Sequence, residues 1–131
     1  MCIRDSNQGI LCLQFHDKNE FVKSLISKMV DPTTEISFIA ERACIEGLGA
    51  DCHSAVAVYC QVENGNKTGT ITAEVFSYNG QQKIRDSIDF DVSEAKVAGM
   101  KLAKQLVLKG ADKLLDNARS VGEELRKQKH A

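Results

Sequence analysis

The chain has 131 residues, 43% of them hydrophobic, and its 17 basic and 18 acidic side chains leave a net charge of −1. That length suffices for one buried core, and the near-neutral balance argues against nucleic acid or an anionic membrane as a partner, so any charge-based function has to be local. No apolar run approaches the roughly 20 residues a membrane helix needs, no basic region precedes an apolar one at the N-terminus, and the five cysteines include no C-x-x-C pair. A soluble, cytoplasmic chain with reduced thiols is the expectation.

Residues 1–6 are short, polar and unpatterned; they resemble translated sequencing adapter and are expected to be an artefact outside the fold, with the true protein starting further upstream. Ile10, Leu11, Cys12, Leu13, Gln14 and Phe15 form a continuous apolar run between Gly9 and His16, which predicts a strand buried on both faces with Cys12 in the core. Its sheet neighbours are not visible in the sequence. Residues 7–30 therefore read as the C-terminal strand and helix of a truncated preceding α/β domain, and the strand is expected to be disordered or aggregation-prone in isolation. Asp17 with Glu20 predicts a capping box, and Val22, Leu25, Ile26 and Met29 predict the apolar stripe of a helix of about three turns.

Asp31-Pro32 punctuates the chain, with Asp31 as a helix cap and Pro32 in the first turn, and places a boundary that makes residues 31–131 a second domain. Ile36, Ile39, Ala40, Ala43, Gly47 and Leu48 recur at helical spacing, predicting a helix over residues 33 to about 48 that ends at Gly47 or Gly49. Val56, Val58, Cys60 and Val62 then alternate with Ala57, Tyr59 and Gln61, the period of a strand with one buried face. Asn64-Gly65 predicts a turn, Ile71, Ala73 and Val75 a second strand, Asn79-Gly80 another turn, and Ile84, Ile88 and Phe90 a third strand. Asp91 with Glu94 makes a capping pair for a helix whose stripe is Ala95, Ala98, Gly99, Leu102, Ala103 and Leu106. Gly110 stops it, and Leu114, Leu115, Ala118, Val121 and Leu125 mark a last helix fraying into a charged tail. The fold class expected is α+β, a three-stranded antiparallel sheet with helices packed on one face.

The residues that invite a function lie where the charged helix passes through a glycine-containing loop into the first strand. Cys52 sits at that hinge, with packed elements on both sides and irregular backbone around it, which leaves its sulfur free to reach a ligand. On spacing alone a small buried hydrophobe is the commoner fate of a free cysteine, and an ion pair the commoner fate of Glu41 and Arg42. Cys44, Cys52 and Cys60 recur every eight residues with His53 beside the second, but helix, loop and strand geometry does not bring three sulfurs together, so no metal site is expected. Cys2 falls in the artefact, and His16 and His130 have no constellation around them.

With those elements in place, the stretch resembles the cofactor-attachment region of the porphobilinogen deaminase (hydroxymethylbilane synthase) family: Glu-Arg, nine residues, a cysteine, and a small-apolar strand start. Glu41 and Arg42 stand at that distance from Cys52, Leu48 fills the apolar position, and Val56-Ala57 matches the strand entry. Gln8-Gly9 is similar to the end of the Gly-Gln-Gly turn before the last strand of the family's first domain. Ala103-Lys104-Gln105-Leu106 through Gly110-Ala111-Asp112-Lys113-Leu114-Leu115 resembles its closing helix pair. The likeness runs from about residue 7 to residue 121 and covers the C-terminal third or so of a complete enzyme. Ala50-Asp51 replaces the family's usual Gly-Gly, and Ala55 its proline, so the path of the loop departs from the pattern while the thiol is kept.

The resemblance implies that Cys52 holds a dipyrromethane primer through a thioether. On it, four porphobilinogen units are condensed into hydroxymethylbilane with release of ammonia, a transferase step of tetrapyrrole (haem) biosynthesis. A thiolate suits the attachment because it is a soft nucleophile for the electron-poor methylene of an azafulvene-like species. A free thiol has a pKa of about 8.5, so a nearby cation would help, and Arg42 and His53 are the candidates, with Ser54 a weaker cofactor contact. The substrate arginines and catalytic carboxylate belong to the first two domains of the family, so no catalytic residue is expected in this segment, which alone should be inactive; the full-length enzyme is expected to be a monomer.

The alternative is a double-stranded-RNA-binding-like module, whose α-β-β-β-α order and lysine-bearing helix the segment also resembles through Lys96, Lys101 and Lys104. Against it stand Glu94 at the helix start, the slightly negative charge, and the lack of a Gly-Pro-x-His element in the second loop.

Overall fold

A computed structural model describes residues 7, 9–51, 54–63 and 67–129. Among them the chain forms four α-helices and three strands: α1 (Glu20–Ile26), α2 (Pro32–Leu48), β1 (Val56–Val62), β2 (Thr68–Phe76), β3 (Lys83–Asp91), a 3-10 turn (Val92–Glu94), α3 (Ala95–Leu108) and α4 (Ala111–Lys129). The strands pair antiparallel in the order β1-β2-β3, with Val58 opposite Ala73 and Ile71 opposite Ile88. This is the expected α+β architecture. The predicted Asn64-Gly65 turn lies outside the described residues.

The core occupies one face of the sheet. Val58 and Cys60 from β1, Ile71, Ala73 and Val75 from β2, and Phe90 from β3 meet Ala40, Cys44 and Leu48 of α2 and Leu102, Ala103 and Leu106 of α3. Period-two burial on the strands and a 3.6-residue stripe on the helices, facing each other, are what make the two layers cohere. All six positions of the predicted α3 stripe are buried. The stripe is made of small residues because α2 crosses α3 closely: a Cβ added to Gly99 would lie 2.3 Å from the Ala40 carbonyl oxygen, and one added to Gly47 2.7 Å from Ala103 Cβ.

Local signals fixed the helix ends where side chains could cap them. Asp31 accepts from the Thr34 N–H at 2.8 Å and from its hydroxyl at 2.6 Å, which holds the Asp31 carboxyl below the usual range. At the other end Gly49 takes φ +60°, the left-handed conformation that closes an α-helix with least strain in glycine. Asp91 caps the 3-10 turn by accepting from the Ser93 N–H, so the expected Asp91 cap serves that turn, and α3 itself starts behind it without a side-chain cap. The α3 C-terminus is tied to the sheet through Lys109, whose Nζ lies 2.8 Å from Asp86 and draws that carboxyl's pKa down. The last helix, α4, extends through the charged tail to Lys129.

The N-terminal segment departs from expectation. Residues 10–15 form no strand: Leu11 is 96% exposed, and Cys12, placed in the core by the apolar run, is exposed as well. A continuous apolar run is buried only when strands flank it on both sides, and β1, β2 and β3 pair with one another instead. The following helix is two turns rather than three. It is capped by Asn19, which accepts from the Val22 N–H at 3.1 Å, rather than by Asp17, and none of its residues is buried.

Candidate functional site

The α2-to-β1 connection is built from both ends. The Gly49 N–H donates to the Glu46 carbonyl and the Ala50 N–H to the Ile45 carbonyl, a Schellman-type closure of α2. On the strand side, Phe76 N–H donates to the Ala55 carbonyl and starts the β1-β2 ladder. Between them Asp51 and Ser54 bond each other three times. The Ser54 N–H donates to the Asp51 carbonyl at 3.0 Å, the Asp51 N–H to the Ser54 hydroxyl at 3.1 Å, and that hydroxyl to the Asp51 carboxylate at 2.9 Å. Asp51 and Ala55 are exposed and Ser54 is half-buried, so the flanks of this connection stand at the surface, above the buried Leu48 and Ala57. Cys52 and His53, the sequence-derived attachment residue and its neighbouring cation, lie outside the described residues. The mutual Asp51–Ser54 bonding gives Ser54 a structural task.

Glu41 and Arg42, adjacent in sequence, part company. The Arg42 guanidinium is exposed and its Nε donates to Glu46 at 2.9 Å, one turn on, away from the core. Glu41 is only 5% exposed: its Oε1 accepts the Cys60 N–H at 2.9 Å and its Oε2 the Asn7 N–H at 2.8 Å. The carboxylate therefore satisfies an outward-pointing amide on the open edge of β1 and clasps the N-terminal segment to the same point. Spacing offered a signal for this role that the motif reading passed over. Glu41 stands at i, i+3, i+4 and i+7 with Cys44, Ile45 and Leu48, on the inward face of α2.

A second buried carboxylate, Glu74, is 1% exposed on the face of β2 opposite Ala73 and Val75, where Arg85 Nη1 reaches it at 3.0 Å and Lys83 Nζ at 4.0 Å. Both cations sit on β3, in register opposite Glu74 and Phe76.

The remaining described thiols separate cleanly. Burial, reinforced by the nearby Glu41 charge, pushes the Cys44 thiol up to about 12; Cys60 is pushed up to about 11 by burial, which a hydrogen bond with Ser37 offsets in part. Neither can act as a nucleophile near neutrality. Among the described residues no group of three His, Cys, Asp or Glu side chains could hold a metal ion, and no helix is long and apolar enough to cross a membrane. Iodoacetamide at pH 8 should accordingly label Cys12 in the folded chain and leave Cys44 and Cys60 unmodified, since about a thousandth or less of either is thiolate there. Peptide mapping checks this, and labelling of Cys44 or Cys60 without denaturant would contradict the packing.

Three antiparallel strands beneath the close-crossing pair α2 and α3 define a small two-layer α+β domain. The family model for the C-terminal domain of porphobilinogen deaminase matches residues 36–108, from within α2 to the last residue of α3. The chain is also similar to the porphobilinogen deaminase of Chlorobium luteolum, 34% identical over 116 residues that make up 86% of this chain and 36% of the relative. It is 31% identical over 102 residues to that of Clostridioides difficile (78% of this chain, 33% of the relative). It is 30% identical over 123 residues to that of Prochlorococcus marinus (94% and 37%). The chain belongs to the porphobilinogen deaminase family, and it spans about a third of the length of the curated relatives it matches.

Proposed function

We propose that this chain is the C-terminal portion of a hydroxymethylbilane synthase, and that Cys52 carries the dipyrromethane primer of that enzyme through a thioether. The observation that carries the reading is the family match running unbroken from α2 through α3, across the one connection that holds Cys52. The bound dipyrromethane would supply the free pyrrole end on which porphobilinogen units are added with loss of ammonia. The chain's own contribution is presentation. The flanks Asp51 and Ala55 are exposed, which suits a two-ring adduct, whereas Cys44 and Cys60 are sealed in the core and ionise too high to compete for it.

Arg42 fits a peripheral role, because it is exposed and its Nε is already engaged with Glu46; His53 remains the nearer cation in sequence. The family resemblance puts the groups that turn porphobilinogen over in the part of the relatives that this chain does not span, so the 131-residue chain alone should not release product. The exposed apolar side chains of residues 10–15 and of α1, Leu11, Leu13 and Phe21 among them, fit a segment built to be covered by that missing part. The duplex-RNA alternative rests on element order and on the exposed Lys96, Lys101 and Lys104 face of α3, and the family match outweighs it.

The test joins this chain to the upstream two thirds of the Clostridioides difficile relative and supplies porphobilinogen. Intact mass should show two porphobilinogen units added with loss of two ammonia molecules, on the peptide containing Cys52, and Cys52→Ser should remove the adduct. An adduct that persists in Cys52→Ser, or none in the parent fusion, would overturn the assignment.

A further inference from the structure

Three lysines from three elements converge on one cleft. Lys83 opens β3, Lys109 caps the end of α3, and Lys113 stands in the first turn of α4. With Gln81, Gln82 and Ile84 they line a cleft of about 690 Å³ between the β2-β3 hairpin and the α3-α4 turn. Among the described residues that line it, every ionisable side chain is a lysine, in a chain whose net charge is −1. Across Gln81, Gln82 and Leu114 the cleft adjoins a second, of about 330 Å³, where Tyr78, Asn79 and Asn117 add polar, uncharged groups.

Carboxylates of the sheet hold two of these cations without covering them. Lys109 Nζ lies 2.8 Å from Asp86, and Lys83 Nζ 4.0 Å from Glu74, whose nearer partner is Arg85 at 3.0 Å; both lysine side chains stay more than half exposed. Lys113 is exposed as well. Lys83, Arg85, Lys109 and Lys113 thus stand against Glu74 and Asp86, an excess of positive charge that a ligand of opposite sign would relieve. Gly110 places no side chain over the start of α4: it takes φ +95°, and a Cβ added there meets nothing within 4 Å. The first-turn amides and dipole of α4 add to the same positive field. Asp112, the acidic residue of that turn, is exposed and is not among the residues lining the cleft. We propose that the cleft is a binding site for a small multivalent oxyanion, a molecule carrying two or more carboxylate or phosphate groups. Lys83 meets it from the sheet and Lys113 from α4, while Asp86 keeps Lys109 in place between them. The proposal uses neither Cys52 nor the dipyrromethane.

The experiment titrates the 131-residue chain with citrate and, separately, with pyrophosphate at pH 7.5, ionic strength being matched with sodium chloride, and follows the backbone amides by NMR. Saturable shifts should appear in residues 81–84 and 109–114 with at least one of the two anions, and the tighter anion tells carboxylate from phosphate chemistry. Lys83→Gln and Lys113→Gln should each weaken binding about three- to fivefold, the scale of one exposed ion pair, and the double variant about tenfold or more. Arg85 still holds Glu74 when Lys83 is replaced, so the spectra of both variants should otherwise match the parent. Lys101→Gln, on the exposed side of α3, should leave binding unchanged. Shifts that sodium chloride alone reproduces, no saturation with either anion, or affinities that Lys83→Gln and Lys113→Gln leave at the parent value would each overturn the proposal.

Discussion

Gly99→Val should destabilise the chain by about 3 kcal/mol or more, enough to lower its melting temperature by on the order of 10 °C and to push a marginal domain toward the unfolded state. The cause is geometric. At Gly99 a first side-chain carbon would fall 2.3 Å from the Ala40 carbonyl oxygen, 2.9 Å from Ala43 Cβ and 3.0 Å from the Cys44 nitrogen. Two of those three atoms are backbone, so no rotamer change relieves them; α2 has to move off α3, opening the seam that buries Cys44, Leu102 and Ala103. Alanine at the same site carries the same first carbon and should already cost a large part of this. Gly122→Ala in α4 is the control, since nothing lies within 4 Å of its added carbon; there the gain in helix propensity should raise stability by about 0.5–1 kcal/mol. Chemical denaturation of the three variants checks the ranking. A Gly99→Val protein as stable as the parent would mean that α2 and α3 do not meet as described.

The α3 seam was legible in the sequence because helix burial is periodic and the small residues mark the side that must approach a neighbour. Ala95, Ala98, Gly99, Leu102, Ala103 and Leu106 needed no tertiary information to be grouped. The same holds for Asp31-Pro32 at the start of α2 and for the alternating β1 and β2 faces, where the controlling physics lies within a few residues. Residues 10–15 show where that reasoning ends. Apolar content states that a segment needs cover, but the cover is supplied by other segments, and in this chain Leu11 and Cys12 have none. The first helix failed more locally: Asn19 and Asp17 are both competent caps, and which one starts a helix depends on which backbone amide it meets. At the candidate site, the order of charged helix, connection and strand was readable. The ties that hold the loop were not. Arg119 reaches Gly49 across 70 residues, and nothing in either local pattern announces the other.

Glu41 joins these two kinds of residue, since its position was part of the family pattern and its task is visible only in three dimensions. Glu41→Ala should cost about 2–4 kcal/mol, the sum of a buried Cys60 amide left without its acceptor, a charge-assisted bond to Asn7 removed, and a cavity in place of the side chain. Glu41→Gln keeps the volume and one carbonyl oxygen, but its amide nitrogen must face one of the two N–H donors, so it should fall between the parent and alanine, at about 1–2 kcal/mol. The thiols give an independent reading, because the Glu41 charge contributes to the upward shifts of both Cys44 and Cys60. In Glu41→Gln that contribution vanishes, so both pKa values should move down while burial keeps them above that of a free cysteine, and labelling at high pH should begin earlier. Chemical denaturation and the pH dependence of alkylation measure the two effects separately. If Glu41→Ala melts with the parent, the β1 edge is satisfied by other means and the carboxylate is not its cap. Loss of stability with unmoved thiols would place Glu41 at the strand edge but its charge too far from the two sulfurs to act on them.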